Sequence, residues 1–442
     1  MERLYDKLKA YSESDFYAFH MPGHKRNKTL LGIELPYDLD ITEIDGFDDL
    51  HHADGILKEE QERAARVFGA EESHFLVNGS TAGILSAVMG CTHRGDKILV
   101  ARHCHKSIYH AIYMNGLVPR YVYPEFDISM HMNGEISKED VAKALAAEPD
   151  IKAVVIVSPN YDGVVSDVKG IAEVRKIAET AHKHGIPLIV DEAHGAHFRF
   201  SDYFPVSAAD LGADVVINSL HKTLPSLTQT AILHINGKLA NRRRIKKYLD
   251  MLQSSSPSYI FMASLDACVD FLDGKCEEAF ELYVERLQKF REELKPLQHL
   301  QILRTEHYDI SKVVISTANA NITSPELADR LRKEYHLEME MTGGTYVLAM
   351  TTVADTQEGL NRLKAALLEI DDQLEAKTAV SGSIEISGEL PRLEQYFTPQ
   401  EAAEREEDGE AEEIPWKESE GHISLEYAYL YPPGSPVIVP GE

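Results

Sequence analysis

A chain of 442 residues can bury more than one core, and 43% apolar with 26% charged residues is the balance of a folded protein with a solvated surface. Seventy-two acidic against 45 basic residues leave a formal charge of −27, which repels nucleic acid and anionic membrane faces and favours small cationic molecules. No apolar run reaches the ~18 residues of a membrane span, Met1-Glu2-Arg3-Leu4-Tyr5-Asp6-Lys7 carries no secretory pattern, and Cys91, Cys104, Cys268 and Cys276 are too dispersed for a metal knuckle and too few for a disulfide framework, so a cytoplasmic protein with reduced thiols is expected.

From about 70 to 235, short apolar runs alternate with amphipathic stretches, the pattern of an α/β domain with a mostly parallel sheet covered on both faces. His74-Phe75-Leu76-Val77 runs into Asn78-Gly79-Ser80-Thr81 and a helix from Ala82 to Met89 that Gly90 closes. Lys97–Val100, Ala153–Val157, a helix over about 170–184, Pro187–Val190 and Val215–Asn218 follow. Each strand ends in polar residues, and ligands of open α/β sheets sit beyond the carboxyl ends of the strands, so these ends converge on one candidate site. A long helix over about 280–297 leads to a smaller α/β unit: strands Lys312–Ser316 and Tyr346–Met350, helices near 325–335 and 358–370. The acidic stretch from Glu401 to Glu413 reads equally as a disordered tether or a solvated helix face. The closing segment 429–442, rich in Pro and Gly, is expected to be extended and docked.

Two strand ends carry the chemistry. Asp191 closes an apolar run and needs a cation or donor to meet its buried carboxylate, while Lys222, 31 residues on, closes another. A protonated ring nitrogen, an aldehyde and a phosphate dianion would answer Asp191, Lys222 and the helix start at Gly79-Ser80-Thr81 together, and pyridoxal 5'-phosphate offers all three. Ser219 adds a hydroxyl, and His105 follows a strand on the same edge, where it can stack on a ring. Each has an ordinary alternative: Asp191 as a turn cap, Ser80 and Thr81 as a helix N-cap, His105 as a loop residue. His194 and His197 beside Asp191 also have metal-ligand spacing, but a metal leaves Lys222 and Gly79-Ser80-Thr81 unexplained; no metal is expected.

These residues stand in motifs that resemble the pyridoxal-phosphate-dependent ornithine/lysine/arginine decarboxylase family of the aspartate-aminotransferase fold (fold type I). They are Phe19-His20-Met21-Pro22-Gly23-His24-Lys25, Asp48-Asp49-Leu50-His51-His52, Arg102-His103-Cys104-His105-Lys106-Ser107, Asp191-Glu192-Ala193-His194-Gly195, Ser219-Leu220-His221-Lys222 and Tyr431-Pro432-Pro433-Gly434-Ser435-Pro436, spread over almost the whole chain. The resemblance implies that Lys222 holds the cofactor, Asp191 its pyridine nitrogen and His105 its ring face. It places Ser80, Thr81, Ser219 and His221 at the phosphate and His194 near the phenolic oxygen; the proton returned to Cα is expected from Lys222 or His221. It further implies an N-terminal arm (1–45), a large cofactor-binding domain (46–300) and a small C-terminal domain (301–442). The expected assembly is a homodimer or dimer of dimers with sites at the interface, since the extra N-terminal domain of the long decameric members is not seen. The expected reaction is decarboxylation of a basic amino acid, arginine to agmatine first, with lysine or ornithine as alternatives and an aminotransferase on the same fold as the further rival.

Overall fold

Seven apolar runs form one sheet: β1 Glu72–Leu76, β2 Lys97–Ala101, β3 Val118–Val122, β4 Ile151–Val157, β5 Leu188–Asp191, β6 Val215–Asn218 and β7 Ala231–Ile235. Their order is β1-β7-β6-β5-β4-β2-β3, with only β7 running against its neighbours. Both faces are covered, so Val154, Ile156, Val190, Val216 and Ile217 are fully buried, which accounts for unbroken apolar runs in place of an alternating pattern. The computed structural model describes residues 2–127, 132–168, 171–303, 308–376, 389–430 and 434–442. Two strands of this sheet do not stand out in the sequence. β3 contains Pro119, but it is an edge strand paired only with β2, where a missing N–H is tolerated. β7 follows directly on the Lys222 turn and pairs antiparallel between β1 and β6.

Register sets the site. Val157 of β4 pairs with Asp191 of β5, and Asp191 with Ile217 of β6, so three strands end level and their polar successors share one edge. Helix α1 (Leu4–Ser12) docks through Arg3 Nη1 to Asp270 at 2.5 Å and Tyr5 N–H to Asp266 at 3.2 Å, beside an ion cluster of Arg63, Glu60 and Asp266. Helices α2 (Ile56–Phe68), α3 (Gly79–Cys91), α4 (Lys106–Met114), α5 (Lys138–Ala147) and α6 (Glu173–Lys183) alternate with the first strands, and the single turn α7 (Leu220–Thr223) carries Lys222. Gly79 opens α3 at φ +73°, and a Cβ at Gly90 would lie 2.8 Å from the Ile245 backbone of α8 (Arg242–Leu252), so the two helices touch where only glycine fits.

Helices α9 (Tyr259–Leu272) and α10 (Glu277–Glu293) form a second core with α1 and α2, built around Tyr259, Phe280 and Tyr283. Beyond it lies an antiparallel sheet of β8 Gln301–Ile302, β9 Lys312–Ser316, β10 Met341–Thr342 and β11 Tyr346–Met350, in the order β8-β9-β11-β10. It is covered by α11 (Ser324–Tyr335) and α12 (Gln357–Asp371), whose Leu327, Leu331, Leu363 and Leu367 meet Val313 and Val347. The acidic stretch is a solvated helix in its first half: α13 spans Pro399–Glu407, starts with a Thr398–Glu401 capping box and buries Ala402.

The C-terminal segment is extended and docked, as expected, with β12 (Ala428–Leu430) pairing antiparallel with β13 (Ser435–Ile438); Tyr431-Pro432-Pro433 lies outside the described residues. Fully buried Arg102 donates to the carbonyls of Pro436 at 2.6 Å and Val437 at 3.0 Å, and to Glu442 Oε2 at 2.8 Å. Removing one partner of a buried ion pair leaves the other charge uncompensated, at about 3–5 kcal/mol. Glu442→Ala is therefore expected to destabilise the protein on that scale in urea unfolding and to raise KM, because β13 also walls the site described next. A loss below about 1 kcal/mol would mean that the tail is held by its backbone pairing alone.

Candidate active site

Asp191, the last residue of β5, is 4% exposed, and its Oδ1 accepts the Ala193 N–H at 3.1 Å. Burial pushes its carboxyl upward, opposed by the positive charge of Lys222. Lys222 sits in α7, after β6; burial holds its amine below the ordinary lysine value, with Asp191 pulling the other way. Its Nζ lies 3.0 Å from His194 Nε2. The preceding residue, His221, is anchored by Nδ1 to the Thr230 carbonyl at 2.8 Å.

His105 is the N-cap of α4: its Nδ1 accepts the Ser107 N–H at 3.2 Å. Burial first, and Lys222 second, bring its ring down to about 4, so at neutral pH it is an uncharged flat surface. Ser80, in the first turn of α3, joins His105, Asp191, His194, His221 and Lys222 in the wall of one cavity of about 780 Å³. That volume is of the size that ordinary small-molecule sites occupy. Gly79, Thr81 and Ser219 are not in its wall. Gly79 and Thr81 flank Ser80, Thr81 being exposed, and the Ser219 hydroxyl is fully buried with no hydrogen-bond partner. The metal-ligand spacing is not realised: His197 Nε2 turns away to Asp309 at 3.1 Å while His194 faces lysines, and among the described residues no three His, Cys, Asp or Glu side chains are placed to hold an ion.

Several wall residues escaped the sequence reading. Asp162, Tyr161 and Glu340 enter from loops, Tyr161 bonding Glu340 through its hydroxyl and standing edge-on to His194 with ring centroids 4.7 Å apart. Ser435 and Val437 come from the docked tail, Ser435 donating to the His103 carbonyl at 2.9 Å. Behind the wall, fully buried Lys312 of β9 places its Nζ 3.0 Å from His194 Nδ1. Only the tail had a sequence signal, the apolar Pro-rich ending. Lys312 opens an apolar strand and looks like a solvent-facing edge residue.

Two family models match the chain, Orn/Lys/Arg decarboxylase, major domain, over residues 3–321 and Orn/Lys/Arg decarboxylase, C-terminal domain, over 388–442. The chain belongs to the Orn/Lys/Arg decarboxylase family. This decarboxylase is 34% identical to the arginine decarboxylase of Bacillus subtilis (strain 168) over 455 aligned residues, covering 99% of this chain and 90% of that one. It is 32% identical to the arginine decarboxylase of Halalkalibacterium halodurans, with the same coverage. The lysine decarboxylase of Francisella novicida superposes with a TM-score of 0.83 at 20% identity, covering 100% of this chain and 74% of that structure. The fold is fold type I, as the resemblance implied, with its mostly parallel central sheet.

Proposed function

We propose that this decarboxylase binds pyridoxal 5'-phosphate through Lys222 and converts arginine to agmatine and carbon dioxide. The observation that carries this reading is a single cavity whose wall holds both the half-buried Lys222, with its amine, and the buried carboxylate of Asp191. The residues present fit the cofactor: an amine for its aldehyde, an anion for its ring nitrogen, and a helix start with Ser80 for its phosphate. Gly79, Thr81 and His221 complete the assigned phosphate set, and His194 and His105 serve the phenolic oxygen and the ring face.

When bound, the cofactor supplies an electron sink for the bond between Cα and the carboxylate. Asp191 keeps a negative charge where a ring proton must be held, and the low dielectric around it strengthens that hold. Neutral His105 presents its face without adding charge. Lys222 would hold the cofactor and is the group placed to return a proton to Cα, with His221 beside it. Asp162 and Glu340 put two further carboxylates on the wall for the distal cation of the substrate. The names of the Bacillus subtilis and Halalkalibacterium halodurans relatives favour arginine; that of the Francisella novicida neighbour keeps lysine as the second reading.

Incubation with arginine, lysine and ornithine separates the possibilities. Agmatine and carbon dioxide from arginine are expected; cadaverine or putrescine as the preferred product would move the specificity to lysine or ornithine, and a keto acid would overturn decarboxylation. We further infer an arm at 1–45, a large domain at 46–300 and a small domain at 301–442, in a cytoplasmic homodimer or dimer of dimers. Four cysteines free of disulfides support the compartment. Exposed apolar side chains of the arm, Phe16 (68% exposed), Phe19 (89%) and Leu30 (75%), support burial against a second copy.

A further inference from the structure

His194 stands between two amines, Lys222 Nζ at 3.0 Å from Nε2 and Lys312 Nζ at 3.0 Å from Nδ1. A neutral imidazole carries one ring hydrogen, so each of the two contacts holds a hydrogen only when one of the lysines is an uncharged amine. His194 is kept neutral chiefly by burial, reinforced by both lysines, His105 and His221. The site is built around this second lysine: Gly163, at φ +104°, faces it, and a Cβ there would lie 2.7 Å from the Lys312 Cγ.

The geometry points to Lys312 as the acceptor of the Lys222 proton, reached through His194, so that Lys312 readies the cofactor-binding amine without touching cofactor or substrate. The inference rests on the reading of Lys222 given above. In the first state Lys222 is an ammonium, His194 carries its hydrogen on Nδ1 and Lys312 is an amine. Lys222 passes a proton to Nε2 as Nδ1 passes its own to Lys312; the second state holds Lys222 as the neutral nucleophile, His194 protonated on Nε2 and Lys312 as the ammonium. Atoms and charge balance, and no co-reactant is needed.

Charges around Lys312 support either state. Asp309 and Tyr308 lie on its own loop, Asp162, paired with Tyr346, and Glu340 approach from neighbouring segments, and Arg291 donates to its backbone carbonyl. Burial brings Lys312 down to about 8, with Asp309, Glu340 and Asp162 resisting and Lys222 assisting, which suits a group that gains and loses a proton near neutrality.

The test is the rate at which Lys222 is reductively trapped by pyridoxal phosphate and cyanoborohydride in the apoprotein, followed by peptide mapping across pH. Lys312→Met is expected to slow trapping roughly tenfold at neutral pH and move the half-maximal pH up by about one unit, since one unit is a tenfold change in free amine. Lys312→Gln, which keeps a polar group but no basic nitrogen, should do the same with an unchanged circular dichroism spectrum. His194→Phe should match it, and the Lys312→Met/His194→Phe double variant should add nothing further. Trapping in both Lys312 variants at the wild-type rate and pH, or additive effects in the double variant, would overturn the relay. Failure of the wild type to take label at Lys222 is a separate result, and removes the reading of the site together with the relay.

Discussion

Lys222→Ala is expected to lower turnover by roughly three orders of magnitude or more and to remove the visible absorbance of the protein incubated with pyridoxal phosphate. The substitution deletes the one lysine amine among the described residues of the cavity wall; Lys312 lies behind His194, outside the wall. Steady-state kinetics with arginine and a spectrum of the dialysed protein check it. Full activity with retained absorbance would place the covalent chemistry elsewhere.

The second large effect belongs to Asp191. Asp191→Asn keeps the size of the side chain and its acceptor for the Ala193 N–H but removes the charge, and turnover should fall roughly 10²–10³-fold, the scale of losing one preorganised electrostatic partner in a buried site. The same change should act on Lys222 in the opposite sense to loss of Lys312. Asp191 favours the ammonium, so its neutralisation lowers the lysine further and moves the half-maximal pH for trapping downward. A variant that traps cofactor at lower pH yet turns over poorly separates anchoring from catalysis. Turnover of Asp191→Asn within about tenfold of the wild type would contradict the assignment.

Asp191 and Lys222 were legible because each is a charged residue closing an apolar run, where the cost of burial demands a partner. The phosphate end was legible for a similar reason, small residues between a strand and a helix. The sheet was readable wherever a strand is buried on both faces, as in Ala153–Val157, and unreadable where a single position misleads: Pro119 masks β3, and β7 follows its turn too closely to stand apart. Ser219 was named for its spacing, yet it is buried outside the cavity wall, a placement that depends on how α7 turns and not on the residue. Lys312, Asp162 and Glu340 join the site only through tertiary packing of the smaller sheet and its loops on the strand ends. No local pattern marks such residues, because periodicity reports which face is buried and not which element comes to cover it.

The most direct test is to incubate the apoprotein with pyridoxal phosphate, reduce it and locate the adduct by mass spectrometry. One adduct per chain, on Lys222, in a protein that releases agmatine and carbon dioxide from arginine before reduction and not after it, is the predicted result. An adduct on another lysine, or none at saturating cofactor, would contradict it.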